Sequence, residues 1–259
     1  MAQRKQPPGH RRHRPKSTAQ QGLWLYGHHA VAAALRNPVR VVKRLLLTAE
    51  AKARLDKEGH DLPGFAEPVD RRDLESVLGP DAVHQGLALR TEPLPGFSMD
   101  ALADQAGPED TILVLDQVTD PQNVGAILRS AAVFGVAGLV MTERNATPET
   151  GALAKAASGA LESVPIARVP NLARALAALE KADFWRIGLD QEAEASLAQA
   201  PAGVRTALVL GSEGQGLRPL TRQHCDLMVR IPMPDRSIGS LNVSNAAAIA
   251  LYALSAGQD

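Results

Sequence analysis

From Thr111 onward, continuous apolar runs (TILVLD, GLVMT, VPIARV, FWRIGL, TALVL and LMVRI) alternate with stretches carrying apolar residues at helical spacing. Unbroken apolar strands leave no face for solvent, so they belong to a parallel sheet covered by helices on both sides. This pattern fixes an α/β fold class and tells us where to look for a site. Ligands of such sheets lie beyond the carboxyl ends of the strands. The loops after TILVLD, TALVL and LMVRI are therefore the places to search. Helices are expected over residues 121–134, near 149–157, and over 171–181 and 242–255.

Upstream, strands are expected over residues 24–26, 41–48 and 83–90, and helices over 28–35 and 70–78, which together make a small α/β unit. Residues 91–110, TEPLPGFSMDALADQAGPED, concentrate Pro, Gly and acids around at most one short helix, as a linker does. The expected organisation is a basic arm over 1–20, the small unit over 21–92, the linker over 93–110 and a larger unit over 111–259.

Charge separates the arm from the rest. The chain of 259 residues has 28 Lys and Arg against 28 Asp and Glu. Residues 1–16 hold six of the cations (Arg4, Lys5, Arg11, Arg12, Arg14 and Lys16) and no acid, which leaves 22 against 28 in the body. A Pro-rich, aromatic-free basic segment cannot bury enough apolar surface to order itself. It reads either as a phosphate-contacting tether or as a solubilising tail.

Composition removes several classes. A single cysteine, Cys225, excludes an internal disulfide framework and multi-cysteine metal sites, and fits a reducing cytoplasm. It reads as a buried thiol rather than a nucleophile. His28, His29 and His84 have no matching carboxylates in the sequence pattern, so no metal is expected. No apolar run approaches the roughly 20 residues that span a bilayer, and no signal peptide is expected. Two Trp, two Tyr and four Phe are too few for a base-stacking RNA-binding sheet.

Three loops carry chemistry. In DQVTDPQNVGAILRSAAVFG, Asp120 and Pro121 read as N-cap and first helical residue, which puts Asn123 in the first turn. Gly125 and Arg129 share a helical face. A helix-interior glycine costs about 1 kcal/mol against alanine, so that face accommodates a close neighbour, either a ligand or another helix. In LVLGSEGQGLRPL, Gly211, Gly214 and Gly216 follow a buried strand, but the spacing is neither a phosphate-hydrolysing loop nor a dinucleotide fingerprint. Glu213 would repel a phosphate there and suits ribose hydroxyls or an amino group. In RIPMPDRSIGSLNVSNAAAIALYAL, Ser240, Asn242, Ser244 and Asn245 each could cap the Ala-rich helix. One cap suffices, and the surplus points to a ligand.

NVGAILR, LVLGSEGQGL, and IPM followed by SLNVSNAAAIALY resemble, in order and spacing, the three motifs of the SpoU (TrmH-like) RNA ribose 2′-O-methyltransferases of the SPOUT class. The small unit, with WLYGHHAVAAAL and VHQGLAL, is similar to the L30e-like substrate-binding domain of the bacterial 23S rRNA guanosine-2′-O-methyltransferases. The loop PDRSIG before Ser240 is about one residue longer than those enzymes lead us to expect. The resemblance implies a parallel-sheet SPOUT domain with a deep trefoil knot, S-adenosylmethionine as methyl donor, and no metal. Its partners would be RNA (rRNA, or alternatively tRNA) and a second copy of the chain as a homodimer, with no membrane.

By motif match, the adenosine rests on Leu210, Gly211, Ile231, Met233 and Leu241. Arg129 is implied to be catalytic, with Asn123, Glu213, Ser240 and Asn242 around it. A guanidinium is a poor proton acceptor, so Arg129 is expected to clamp the target phosphate and ease loss of the 2′-hydroxyl proton. Glu213 would either orient Arg129 or bind a ribose hydroxyl. A non-catalytic RNA-binding assembly factor and a nucleotide-dependent oxidoreductase are the competing readings.

Overall fold

The structure, a computed structural model, describes residues 22–144, 147–234 and 240–255. The basic arm and most of the PDRSIG loop lie outside the described residues. In the small unit, β1 (Leu23–Tyr26), α1 (His28–Arg36), β2 (Val42–Leu47), α2 (Ala49–Lys57), β3 (Ala66–Pro68), α3 (Arg71–Leu78) and β4 (Leu87–Thr91) build a four-stranded sheet of order β1-β4-β2-β3. β4 runs antiparallel to β1 and β2, and β3 is parallel to β2.

The strand expected over 83–90 begins four residues later. Gln85 and Gly86 have φ of 54° and 80°, a left-handed pair that turns the chain and cannot lie in a strand. Two elements of this small unit were not anticipated. α2 buries only Ala51 and Leu55, too thin a stripe to show as periodicity, and β3 is a three-residue edge strand.

The 93–110 stretch carries α4 (Met99–Gln105), started by the Ser98 side chain accepting from Ala101 N. It is followed by β5 (Thr111–Asp116), α5 (Pro121–Val133), β6 (Gly138–Thr142), α6 (Gly151–Ala157), β7 (Ile166–Val169), α7 (Leu172–Lys181), β8 (Trp185–Leu189), β9 (Ala195–Ser196), β10 (Thr206–Gly211), α8 (Pro219–Gln223), β11 (Leu227–Arg230) and α9 (Val243–Ser255). Seven strands form one sheet of order β7-β6-β5-β10-β8-β11-β9, parallel at every pairing.

Both faces are covered, as the apolar runs require. Along β5, Ile112 and Val114 pack with α4 and α7 residues such as Leu102, Leu172 and Leu176. Leu113 and Leu115 face the opposite layer, with Val124, Ile127 and Leu128 of α5, Leu153 of α6 and Ala247 of α9. That second cluster continues into the small unit through Leu25, Val31, Leu45 and Leu89. The two units therefore share one apolar core.

A polar clasp closes the seam between them. The guanidinium of Arg40, fully buried, donates from Nε (3.1 Å) and Nη2 (2.6 Å) to Glu162, and from Nη1 to Glu149 (3.1 Å) and the Glu92 carbonyl (2.8 Å). Asn37 Nδ2 adds a bond to Glu162 (2.8 Å), and Glu149 accepts from Leu94 N (3.1 Å). Two nearly buried carboxylates are thus satisfied by one cation and surrounding donors, the condition under which buried charge is tolerated.

Candidate active site

In the sheet β8 lies between β10 and β11, so the carboxyl ends of these three strands are neighbours. They open, with the start of α9, into a cavity of about 600 Å³. Leu210, Gly211, Ile231, Met233 and Leu241, the five residues expected to hold adenosine, all line it. A wall that mixes apolar and polar side chains and a volume inside the usual range of roughly 300–1,000 Å³ suit a nucleoside-sized ligand.

Gly211 has a local reason to be glycine. The loop after it folds back, with Ser212 N donating to Gly216 O (3.2 Å) and Gly216 N to Ser212 O (3.0 Å). A Cβ on Gly211 would stand 2.2 Å from the Gly216 carbonyl carbon. The close approach is by the loop's own backbone, and the turn is finished by Gly214 and Gly216 at φ 84° and 65°.

At the rim of the cavity the three motifs meet. Glu213 Oε1 accepts from Asn242 Nδ2 (2.6 Å), Asn123 Nδ2 (3.1 Å) and Val243 N (3.5 Å), and Asn242 Nδ2 also donates to Asn123 Oδ1 (2.9 Å). Asn123 is presented by the Asp120 cap, whose carboxylate accepts from Gln122 N and Asn123 N. Asn242 is itself the α9 cap: its Oδ1 accepts from Ser244 N (2.9 Å), Ser244 Oγ (2.6 Å) and Asn245 N (3.4 Å). Ser244 and Asn245 are thereby helix-start structure, and Ser240 lies on the cavity rim without the capping role.

Arg129 stands apart from this node. It is exposed on α5, and no hydrogen bond or ion pair engages its guanidinium among the described residues. Of the two alternatives for Glu213, orienting Arg129 has no contact behind it. Gly125, one turn before Arg129, packs against α6: a Cβ there would lie 2.5 Å from Ala156 Cβ and 2.7 Å from Leu153 O. The neighbour that this glycine accommodates is another helix of the same chain.

Four residues that line the cavity went unread in the sequence: Asp190, Gln191 and Glu192 after β8, and Arg222 of α8. The loop after FWRIGL was outside the three searched, although its acidic run directly following a buried strand was the available signal. Asp190 is nearly buried, pairs with Arg222 and accepts from Glu192 N (2.8 Å). The completely buried Asp116, at the end of β5, takes Arg218 Nε (2.6 Å) and Arg218 N (3.0 Å), which ties the far side of the glycine loop to the sheet.

Cys225 lies beside this region and donates to Thr221 O (3.4 Å). Burial, first among the causes, pushes its thiol up to about 12. The thiolate is the reactive form, so native protein at pH 8 should resist a thiol-specific chromogenic reagent that labels the unfolded chain at once. Equal labelling rates in the two states would refute this placement. Among the described residues, no group of three or more His, Cys, Asp or Glu could hold a metal ion, and no helix is long and apolar enough to cross a membrane.

Comparison with known proteins gives a consistent picture. The family model described as SpoU rRNA Methylase family matches residues 110–252, and that for RNA 2′-O ribose methyltransferase substrate binding matches residues 24–96. The chain is 39% identical over 233 residues to 23S rRNA (guanosine-2′-O-)-methyltransferase RlmB of Escherichia coli K12, covering 88% of this chain and 96% of that one. It is also 39% identical over 236 residues to an uncharacterized tRNA/rRNA methyltransferase of Synechocystis, covering 88% of this chain but only 61% of that relative's length. The fold superposes on the SpoU methyltransferase AviRb of Streptomyces viridochromogenes in complex with AdoMet, with a TM-score of 0.77 at 24% identity over 93% of this chain and 92% of that one.

Proposed function

Because the chain belongs to the SpoU rRNA methylase family, we propose that it methylates the ribose 2′-hydroxyl of a guanosine in 23S rRNA, using S-adenosylmethionine. One observation carries this reading most directly. Five residues from separated motifs wall a single cavity, and its rim is the Glu213 node that gathers Asn123 and Asn242.

The bound donor supplies an electrophilic methyl group, toward which a ribose 2′-oxygen can attack in line. The protein's tasks are to align the hydroxyl, ease removal of its proton and hold the developing oxyanion. Asn123 and Asn242 spend their amides on each other, on Glu213 and on the α9 cap. They are fixed posts that set the geometry of the rim. The second oxygen of Glu213 is left for a substrate hydroxyl. Arg129, unengaged, supplies a planar fork for the phosphate beside the target ribose, where positive charge favours the alkoxide. The small unit, matched by the substrate-binding model, holds the RNA, and the reaction takes place in the cytoplasm.

Transfer of tritiated methyl from S-adenosylmethionine to undermodified 23S rRNA, with tRNA in parallel, tests the reading. Label recovered as 2′-O-methylguanosine in 23S rRNA is the expected result. Label in tRNA alone would replace the substrate, and tight RNA binding with no label would leave a non-catalytic factor.

The proposal includes a homodimer through α5 and α9. Val133, Ile249 and Tyr252 are 74%, 41% and 63% exposed, with Phe134 set edge-on to Tyr252 at 6.4 Å. Exposed apolar side chains concentrated on two packed helices are the mark of an interface. Light scattering is expected to give twice the chain mass, and Tyr252→Asp to give the single-chain mass with an unchanged circular dichroism spectrum. A monomeric wild-type protein would remove this part of the proposal.

A further inference from the structure

Two hydrogen-bonded carboxylates line the cavity. In one, Glu213 Oε1 is saturated by three donors from α5 and α9. The other is Asp190, at the carboxyl end of β8, the strand between the two that supply Leu210, Gly211 and Ile231. Its backbone N–H donates to Val229 O of β11 (2.9 Å). One carboxylate oxygen approaches the glycine loop after β10, lying 4.0 Å from where a Cβ on Gly216 would be. The side chain, 8% exposed, is held by Arg222 and by Glu192 N. A carboxylate has about four acceptor sites, so two remain for a ligand.

A nearly buried, rigidly held acceptor costs desolvation unless a donor arrives. The adenosine moiety offers two kinds of donor, the 6-amino group and the cis-diol, and only the diol sets two hydroxyl donors on adjacent carbons to meet the two open acceptor sites of one carboxylate. A carboxylate at a strand end beside a glycine turn is a general solution for binding ribose hydroxyls in parallel α/β sheets. Resting on the reading above, we propose that Asp190, oriented by Arg222, binds the ribose diol of the methyl donor and so fixes the nucleoside in the cavity.

Titration calorimetry on the full chain tests this with S-adenosylmethionine, S-adenosylhomocysteine and the 2′,3′-dideoxy analogue of the latter. Charge-assisted hydrogen bonds of this kind lead us to expect Asp190→Asn to weaken both natural ligands by the same factor, roughly 10- to 100-fold. Wild-type protein should disfavour the dideoxy analogue by a similar factor, and the variant should bind analogue and parent alike. An unchanged affinity in the variant overturns the proposal. So does a loss confined to S-adenosylmethionine, which would mean attraction to the sulfonium charge. Equal wild-type affinity for the dideoxy analogue overturns it even if Asp190→Asn fails to fold. Wild-type protein with no affinity for S-adenosylmethionine would instead overturn the methyltransferase reading, and this proposal with it.

Discussion

Arg129→Ala is expected to lower kcat for methyl transfer roughly 10²- to 10³-fold, the usual effect of removing one preorganised electrostatic group from a transition state. The affinity for S-adenosylmethionine should stay within about twofold, because Arg129 is not among the residues lining the cavity. Stability should stay near wild type as well, since an exposed side chain with no partner loses little on truncation. Arg129→Lys separates charge from shape. A lysine keeps the cation but not the planar fork, so it should recover only part of the loss. Single-turnover rates with saturating donor would decide it, and near-normal turnover by Arg129→Lys would sink the bidentate clamp.

Arg40→Met should have the largest effect on stability. It leaves Glu149 and Glu162, at 12% and 7% side-chain exposure, facing each other's surroundings without their cation. Breaking a buried pair in this way costs about 3–5 kcal/mol, equivalent to a fall in Tm of roughly 6–20 °C for a chain of this size. Lys43→Met provides the contrast. Its pair with Glu92 is half exposed on both sides, and such pairs contribute about 0–1 kcal/mol. Urea denaturation of both variants checks the prediction. An Arg40→Met loss no larger than that of Lys43→Met would mean the seam is held by the apolar core alone. The core shared by Leu25, Leu45, Leu113 and Leu115 makes a further expectation concrete: weakening the seam should lower the stability of both units together.

The sequence made the large sheet readable because burial on both faces leaves continuous apolar strands, and Ile112 to Leu115 need no periodicity to be recognised. What it withheld is nonlocal. Nothing in TALVL says that it pairs with TILVLD on one side and FWRIGL on the other, and that order is what makes the end of β8 a wall of the cavity. Asp190 was missed for this reason. The node was legible residue by residue, since Asn123, Glu213 and Asn242 sit in separate motifs, but its bonding was not. Asn242 combines the cap and the ligand-side post in one side chain, which the surplus of polar residues at the start of α9 could not apportion. Gly125 shows the opposite case, where an apparent ligand signal is satisfied by Ala156 and Leu153 of α6.

The strand order also sets a timetable for synthesis. β5, β6 and β7 leave the ribosome early and can pair at once, yet the other edge of β5 waits for β10, where Thr206 settles beside Thr111. Until then the nascent chain presents a bare, apolar strand edge, the kind of surface that invites mispairing. The cavity arrives later still, because it needs β8, β10, β11 and the first residues of α9. A nascent chain still short of α9 therefore has no complete place for a nucleoside. Binding competence should appear abruptly, once the first residues of α9 have emerged, rather than grow with chain length.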